Sequence, residues 1–111
     1  MIFKSPNPAV DVAALPADAY LIDVREDDEW QAGHAPDAVH LPLSELVVRM
    51  EEVPADRDVY VICKVGGRSE QAVRYLNQAG RTTVNVLGGM LAWQAAGKPM
   101  VSESGGQPFV A

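Results

Sequence analysis

Cys63 is the only cysteine of the chain, and it stands between a short apolar run and a loop rich in glycine and basic residues. Gly66 and Gly67 let the backbone approach the sulfur closely, and Lys64 and Arg68 place positive charge beside it. Such surroundings at the start of a helix lower a thiol pKa from about 8.5 to roughly 3.5–7.5. The alternative is a buried and inert cysteine, which needs neither glycines nor cations. The pattern favours a reactive thiolate.

A single cysteine cannot form an internal disulfide, which indicates a reducing, cytoplasmic setting. Residues 1–8 agree with this expectation, because they contain no apolar run long enough for a secretory signal. One thiol also limits the chemistry. A sulfur-centred intermediate on Cys63 must be resolved by an external acceptor or reductant.

The overall charge narrows the possible partners. The formal net charge is -6 and the pI is near 4.7, so the extended positive face that nucleic acid or an anionic membrane requires is not expected. No apolar stretch is long enough to span a membrane. Lys64, Arg68 and Arg74 fall within eleven positions. They form either a small basic mouth suited to a small anion or part of a solvated helix face.

Strands and helices alternate along the chain, and these elements must position the cysteine. Apolar, β-branched runs predict strands at residues 19–24, 39–41, 59–63 and 83–87. Helices are predicted at residues 27–32, 45–52, 69–80 and 90–96, with Ser44 as an N-cap and Gly33, Gly80 and Gly97 as stops. The alternation predicts an α/β fold with a parallel sheet and helices on both faces.

Ligands of such sheets bind beyond the carboxyl ends of the strands, where Cys63 and Asp23 are both predicted to lie. The length predicts a single domain over residues 1–111. Its core covers about residues 8–99, and residues 100–111 form an irregular C-terminal tail that lies on the surface or frays.

Three separated motifs resemble those of the single-domain rhodanese family, whose members are sulfurtransferase modules. The resemblance covers residues 8–99 in order. The second motif is the loop from Cys63 to Ser69, and the others flank it. They are Leu21-Ile22-Asp23-Val24-Arg25-Glu26 with Glu29, Gly33-His34 and His40-Leu41-Pro42, and Gly88-Gly89 with Trp93 and Gly97-Lys98-Pro99.

This resemblance implies a rhodanese-like three-layer α/β/α fold with a five-stranded parallel sheet. It also implies that Cys63 takes a sulfane sulfur from a small anionic donor such as thiosulfate, forms a persulfide, and passes the sulfur to cyanide, a thiol or a protein, without a cofactor. The amides of Lys64, Val65, Gly66, Gly67, Arg68 and Ser69 would cradle the outer sulfur. Arg68 would complete the loop, and Lys64 would attract the donor by its charge.

Loop length separates this chemistry from that of the related cysteine phosphatases. Four residues stand between Cys63 and Arg68, one fewer than in those enzymes, and a shorter ring fits one sulfur atom better than a tetrahedral phosphate. The loop also contains no carboxylate or histidine that could act as a leaving-group acid.

Several other residues invite a functional reading, and for most the structural reading is favoured. Asp23 and Arg25 are interpreted as an ion pair or helix cap that supports the site from behind. His34 and His40 have no ligand spacing typical of a metal site, so no metal is expected. The tryptophans are interpreted as packing residues, and the acidic run at residues 26–29 as a solvated helix start.

Two alternative functions remain open. The chain could be a delivery or interaction module that passes sulfur to one partner protein and turns over little by itself. It could also be a thiol redox sensor, because an accessible thiolate of low pKa oxidises readily.

Overall fold

The computed structural model describes residues 7–111, and it contains the five-stranded parallel sheet that the sequence predicts. The spatial order is β1-β5-β4-β2-β3, and every neighbouring pair is parallel. β4 lies at the centre, and Val59, Val61 and Ile62 along it are fully buried. The strands are β1 (Ala9–Val10), β2 (Tyr20–Asp23), β3 (Val39–His40), β4 (Asp58–Ile62) and β5 (Thr82–Val86).

Helices cover both faces of the sheet and make it the middle of three layers. They are α1 (Asp27–Ala32), α2 (Gly67–Gln78) and α3 (Gly89–Ala95), joined by 3-10 helices at Val12–Ala14, Leu43–Glu45 and Met50–Glu52. Ala72, Val73 and Leu76 of α2 are buried in one apolar cluster with Val59 and Val61. Met90 and Trp93 of α3 lie in a second cluster on the other face of the sheet.

The prediction of a helix at residues 45–52 is wrong. That segment forms two short 3-10 helices separated by turns. Ser44 does not cap a helix there, because its hydroxyl donates to Glu26 Oε1 at 2.9 Å. The β-branched residues Val47 and Val48 interrupt the segment and remain exposed, so a regular helix would gain little apolar burial.

Two parts of the chain show contacts that its local pattern did not predict. β1 has only two residues, yet it pairs with β5 at the sheet edge, where Leu87 N donates to Val10 O at 2.7 Å. Residues 100–111 form no regular helix or strand, and backbone hydrogen bonds tie part of them to residues 31–34. His34 and Val101 form an antiparallel bridge, and Phe109 N donates to Ala32 O.

Gly33 shows how closely this C-terminal segment packs. Its φ of 174° is extended backbone that any residue adopts, so it does not end α1 by a left-handed turn. A Cβ at this position would instead meet Phe109 O at 2.5 Å. Glycine is needed there because the returning chain occupies the space.

Residues 1–6, and with them most of the stretch in which no secretory signal is predicted, lie outside the described residues. Over residues 7–111, no helix is both long and apolar enough to cross a membrane.

Candidate active site

Cys63 immediately follows β4 at the carboxyl edge of the sheet, and α2 begins four residues later. The helix starts at Gly67, two residues earlier than predicted, so Arg68 and Ser69 lie in its first turn. Gly66 turns the chain into this helix with a φ of +124°, a conformation that glycine adopts at low cost. The loop therefore bends around the sulfur and ends on a helix N-terminus.

The loop brings hydrogen-bond donor groups to the Cys63 sulfur. Gly66 N donates to Sγ at 3.0 Å, and the Ser69 hydroxyl lies 3.3 Å from Sγ. Burial raises the pKa of the Cys63 thiol, but the Ser69 hydroxyl and the amides of Ser69, Gly66 and Val65 more than offset it, so the pKa lies below its usual value. The loop thus favours the thiolate over an ordinary buried thiol.

The N-terminus of α3 holds the outer side of this loop. Met90 N donates to Cys63 O at 2.8 Å, and Leu91 N donates to Lys64 O at 3.1 Å. These carbonyls are therefore committed to α3, which leaves the following amides to face the sulfur. Gly89 permits this approach, because a Cβ there would come within 2.5 Å of the Cys63 and Lys64 backbone. Gly89, the first residue of α3, is part of the site for this reason.

The sulfur is enclosed and not exposed. Cys63 is only 1% exposed, so its sulfur is not open to solvent. Val65 and Gly67 are exposed and Lys64 is half-buried, so the loop itself forms the surface above the sulfur. The loop that stabilises the thiolate also covers it.

The Arg68 guanidinium is hydrogen-bonded to a carboxylate on α1. Its two terminal nitrogens donate to the Glu29 carboxylate at 2.7 and 2.8 Å. These hydrogen bonds lower the pKa of Glu29 to about 2 and raise the pKa of Arg68. Interpreting Glu29 as part of a solvated acidic run was therefore wrong, because it anchors the first turn of α2 to α1.

Asp23 and Arg25 form a second ion pair, and both side chains are fully buried. The Arg25 guanidinium donates to both carboxylate oxygens of Asp23 at 2.8–3.1 Å and to Gly33 O at 2.8 Å. Asp23 pairs in register with Ile62, the residue before Cys63. In residues 7–111 neither side chain hydrogen-bonds the sulfur, so this pair supports the strand end from behind.

Asn85 is a site residue that the sequence analysis did not single out. It is buried on β5, where its Oδ1 accepts from the Ser69 hydroxyl at 2.5 Å and its Nδ2 donates to Gly66 O at 3.3 Å. Asn85 therefore links the residue that contacts the sulfur to the glycine that turns the loop. A polar residue between Val84 and Val86 in an apolar strand was the available signal.

The two histidines pack against Trp30 of α1. Trp30 is stacked between His34 and His40, with ring centroids 3.5 and 4.6 Å away. His34 also meets Glu103 of the C-terminal segment at 2.7 Å. Among the described residues, no group of three or more histidine, cysteine, aspartate or glutamate side chains could hold a metal ion.

Comparison with known proteins shows which family has this fold and loop. The family model described as "Rhodanese-like domain" matches residues 9–96. A protein named "Sulfurtransferase" from Allochromatium vinosum is 44% identical over 89 residues, which cover 79% of this chain and 83% of that protein.

Solved structures agree with this assignment. A rhodanese-related protein from Thermoplasma volcanium superimposes with a TM-score of 0.80 at 33% identity, over 85% of this chain and 97% of that one. An NAD-dependent persulfide reductase from A. fulgidus matches with a TM-score of 0.66 at 32% identity, over 78% of this chain and 16% of the larger protein. The family that the motifs predict is therefore confirmed. The chain belongs to the rhodanese-like domain family, and its Allochromatium vinosum relative is named a sulfurtransferase.

Proposed function

We propose that the protein transfers sulfane sulfur through a persulfide on Cys63. The observation that carries this proposal is the pair of donor groups that the loop brings within reach of one sulfur atom, Gly66 N at 3.0 Å and the Ser69 hydroxyl at 3.3 Å. These donors stabilise a thiolate, which is the nucleophilic form of cysteine.

In the first step the Cys63 thiolate attacks the outer sulfur of a donor such as thiosulfate. A bond forms between Sγ and that sulfur, the sulfur–sulfur bond of the donor breaks, and sulfite leaves with the electron pair. The new terminal sulfur carries the negative charge. The loop amides, including those of Val65, Gly66 and Ser69, are the donors available to stabilise it.

In the second step an acceptor nucleophile, such as cyanide or a thiol, attacks the terminal sulfur and the Cys63 thiolate leaves. The half-buried Lys64 supplies positive charge at the surface for the anionic donor. Arg68 keeps the first turn of α2 in place through Glu29, so its main contribution is to position the loop. No cofactor and no metal enter these steps, and we place the reaction in a reducing, cytoplasmic setting.

The name of the A. fulgidus relative supports sulfane chemistry for this fold, since that protein is called a persulfide reductase. The ring of four residues between Cys63 and Arg68 supports sulfur over phosphate. A redox sensor on Cys63 would instead form a stable sulfenic acid with mild peroxide and no persulfide with sulfur donors.

Intact-mass measurement tests the proposal directly. After incubation with thiosulfate the protein should gain the mass of one sulfur atom, and cyanide should remove it. Cys63→Ser is a clean control because the chain has no other thiol. An unchanged mass of the folded wild-type protein after thiosulfate and after a persulfide donor would overturn the proposal.

Enclosure of the sulfur supports a second candidate within the same chemistry, namely delivery to a partner protein. Because Cys63 is 1% exposed, the covering loop must move before an acceptor reaches the sulfur, and the contacts of a docked protein can stabilise that movement. A delivery module would then lose its sulfur slowly to cyanide and fast to a cysteine of one acceptor protein. Equal rates with small and protein acceptors would favour the free-standing enzyme.

A further inference from the structure

The Ser69 hydroxyl has three neighbouring acceptors but only one hydrogen. Its oxygen lies 3.3 Å from Cys63 Sγ, 3.1 Å from Gly66 O and 2.5 Å from Asn85 Oδ1. A hydroxyl donates one hydrogen bond and accepts through its lone pairs. The three contacts therefore cannot all be donated at the same time, and the direction of this hydrogen decides what the sulfur receives.

The Gly66 carbonyl determines how the Asn85 amide is oriented. Asn85 Nδ2 lies 3.3 Å from Gly66 O, which only accepts, so the nitrogen faces this carbonyl and Oδ1 faces Ser69. Ser69 Oγ and Asn85 Oδ1 lie 2.5 Å apart, so a hydrogen must lie between these two oxygens. In this arrangement the Ser69 hydrogen points at Asn85, and a lone pair of Ser69 Oγ faces the sulfur, where it accepts from a protonated Cys63.

We propose that Asn85 is a positioning residue that controls the ionisation of Cys63 by holding the Ser69 hydrogen away from the sulfur. When the thiol loses its proton to solvent, the thiolate becomes an acceptor and the Ser69 hydrogen turns toward it. The Asn85 amide must then rotate, so that Nδ2 donates to Ser69 Oγ and its hydrogen bond to Gly66 O is lost. Asn85 thus stabilises the thiol relative to the thiolate.

Burial makes this competition matter. Ser69 is fully buried, and Asn85 and Cys63 are nearly so, so water does not replace a hydrogen bond that one partner gives up. The charged groups around the cluster are Lys64 in the loop, Arg68 on α2, Asp23 at the end of β2 and Glu29 on α1. All of these charged groups remain unchanged in the variants below, so a change in the thiol pKa reports on the hydrogen bond of the Ser69 hydroxyl.

Ultraviolet absorbance of the thiolate measures the Cys63 pKa without a reagent having to reach the sulfur. Asn85→Leu removes the nearest competing acceptor and leaves only Gly66 O at 3.1 Å, so the Ser69 hydrogen can turn to the thiolate. The thiol pKa should fall by about one unit, roughly tenfold in the ionisation constant, as expected for one hydrogen bond to a charged group. Ser69→Ala should raise it. In the Ser69→Ala background, Asn85→Leu should leave the pKa unchanged, because no hydrogen remains to release.

Thr83→Val is the matched control. Thr83 is a buried polar residue on the same strand, and its hydroxyl contacts Asn77 and Val73 and not the Cys63 loop. Its substitution should leave the thiol pKa unchanged. An unchanged or raised pKa in Asn85→Leu, or a full shift that persists in the Ser69→Ala background, would overturn the proposal.

A measurement on the wild-type protein keeps the proposal testable if Asn85→Leu does not fold. The side-chain amide resonances of Asn85 should titrate with the same midpoint as the thiolate absorbance, because the amide rotates when Cys63 ionises. Resonances that stay constant through that midpoint would contradict it. This inference rests on the proposed function of Cys63, but failure of the relay would leave the intact-mass result standing, and the reverse also holds.

Discussion

Two arginine–carboxylate pairs lie near Cys63, and they differ in what they hold together. Asp23 and Arg25 are two residues apart and fully buried, with charge-assisted hydrogen bonds of 2.8–3.1 Å. Glu29 and Arg68 are 39 residues apart, and their side chains are 16% and 35% exposed. The first pair closes the end of one strand, whereas the second ties α1 to the helix of the cysteine loop.

The same type of ion pair therefore has two different roles, one in stability and one in positioning the cysteine loop. A fully buried ion pair gains from the low dielectric but leaves an uncompensated charge if one partner is removed. Arg25 Nη1 already lacks a hydrogen-bond partner within the described residues, so this site has no spare acceptor. The Glu29–Arg68 pair meets solvent, so its loss costs less for the fold and acts more on the loop.

The largest effect is expected for Asp23→Asn. Arg25 would keep its charge in a fully buried position without a carboxylate, and the free energy of unfolding should fall by about 3–5 kcal/mol. Asp37→Asn removes the same charge from an exposed position and should change stability by less than about 0.5 kcal/mol. Chemical denaturation of both variants checks this. Equal losses would show that the buried pair has no special role.

The sequence predicted the elements around these pairs better than it predicted their partners. α1 has the predicted bounds of 27–32, because its acidic start and following glycine are local signals. The Asp23–Arg25 pair was within reach for the same reason, since the two residues are neighbours on one strand end. Glu29 with Arg68, and Ser69 with Asn85, join residues 39 and 16 positions apart. No local pattern encodes such contacts.

The same reasoning explains the segments that pattern alone missed or misjudged. β1 has two residues, too few for any alternation to be visible, and it exists because β5 offers a free edge. Residues 45–52 have helix-like composition, but tertiary packing buries only Leu46 among them. The enclosure of Cys63 depends on α3 and α2 together, which only the folded chain brings into contact.

The Glu29–Arg68 pair should make stability depend on acid pH. The Arg68 hydrogen bonds hold the pKa of Glu29 at about 2, below its unfolded value. The stabilisation is therefore complete above about pH 4.5 and is lost as the pH falls through about 2. Glu29→Gln should lower the free energy of unfolding by about 1–2 kcal/mol at neutral pH, a figure discounted for solvent screening, and by almost nothing near pH 2.

Denaturation at several pH values checks this prediction, with Glu70→Gln as the control. Glu70 is exposed on the same helix as Arg68, and its nearest cation lies 3.9 Å away. A loss in Glu29→Gln that stays constant between pH 7 and pH 2 would contradict the assigned cause.

Glu29→Gln should also alter the thiol, whereas Asp37→Asn should not. Without the Glu29 carboxylate, no negative charge offsets the positive charge of Arg68 near Cys63, and this favours the thiolate. The thiol pKa should fall by about half a unit, measured by thiolate absorbance. An unchanged pKa would mean that Arg68 acts on the loop only through its position, and the functional contrast between the two pairs would then disappear.

Salt gives the smallest and sharpest test of the comparison. Screening at about 1 M ionic strength acts within roughly 3 Å in solvent, so it weakens an exposed pair and spares a buried one. The destabilisation by Glu29→Gln should shrink by about half a kcal/mol or less between low and high salt, because both of its side chains reach solvent. The destabilisation by Asp23→Asn should stay constant, because neither of its partners does. If both losses fell together, the Asp23–Arg25 site would have to open to water, and its assignment as a closed strand end would fail.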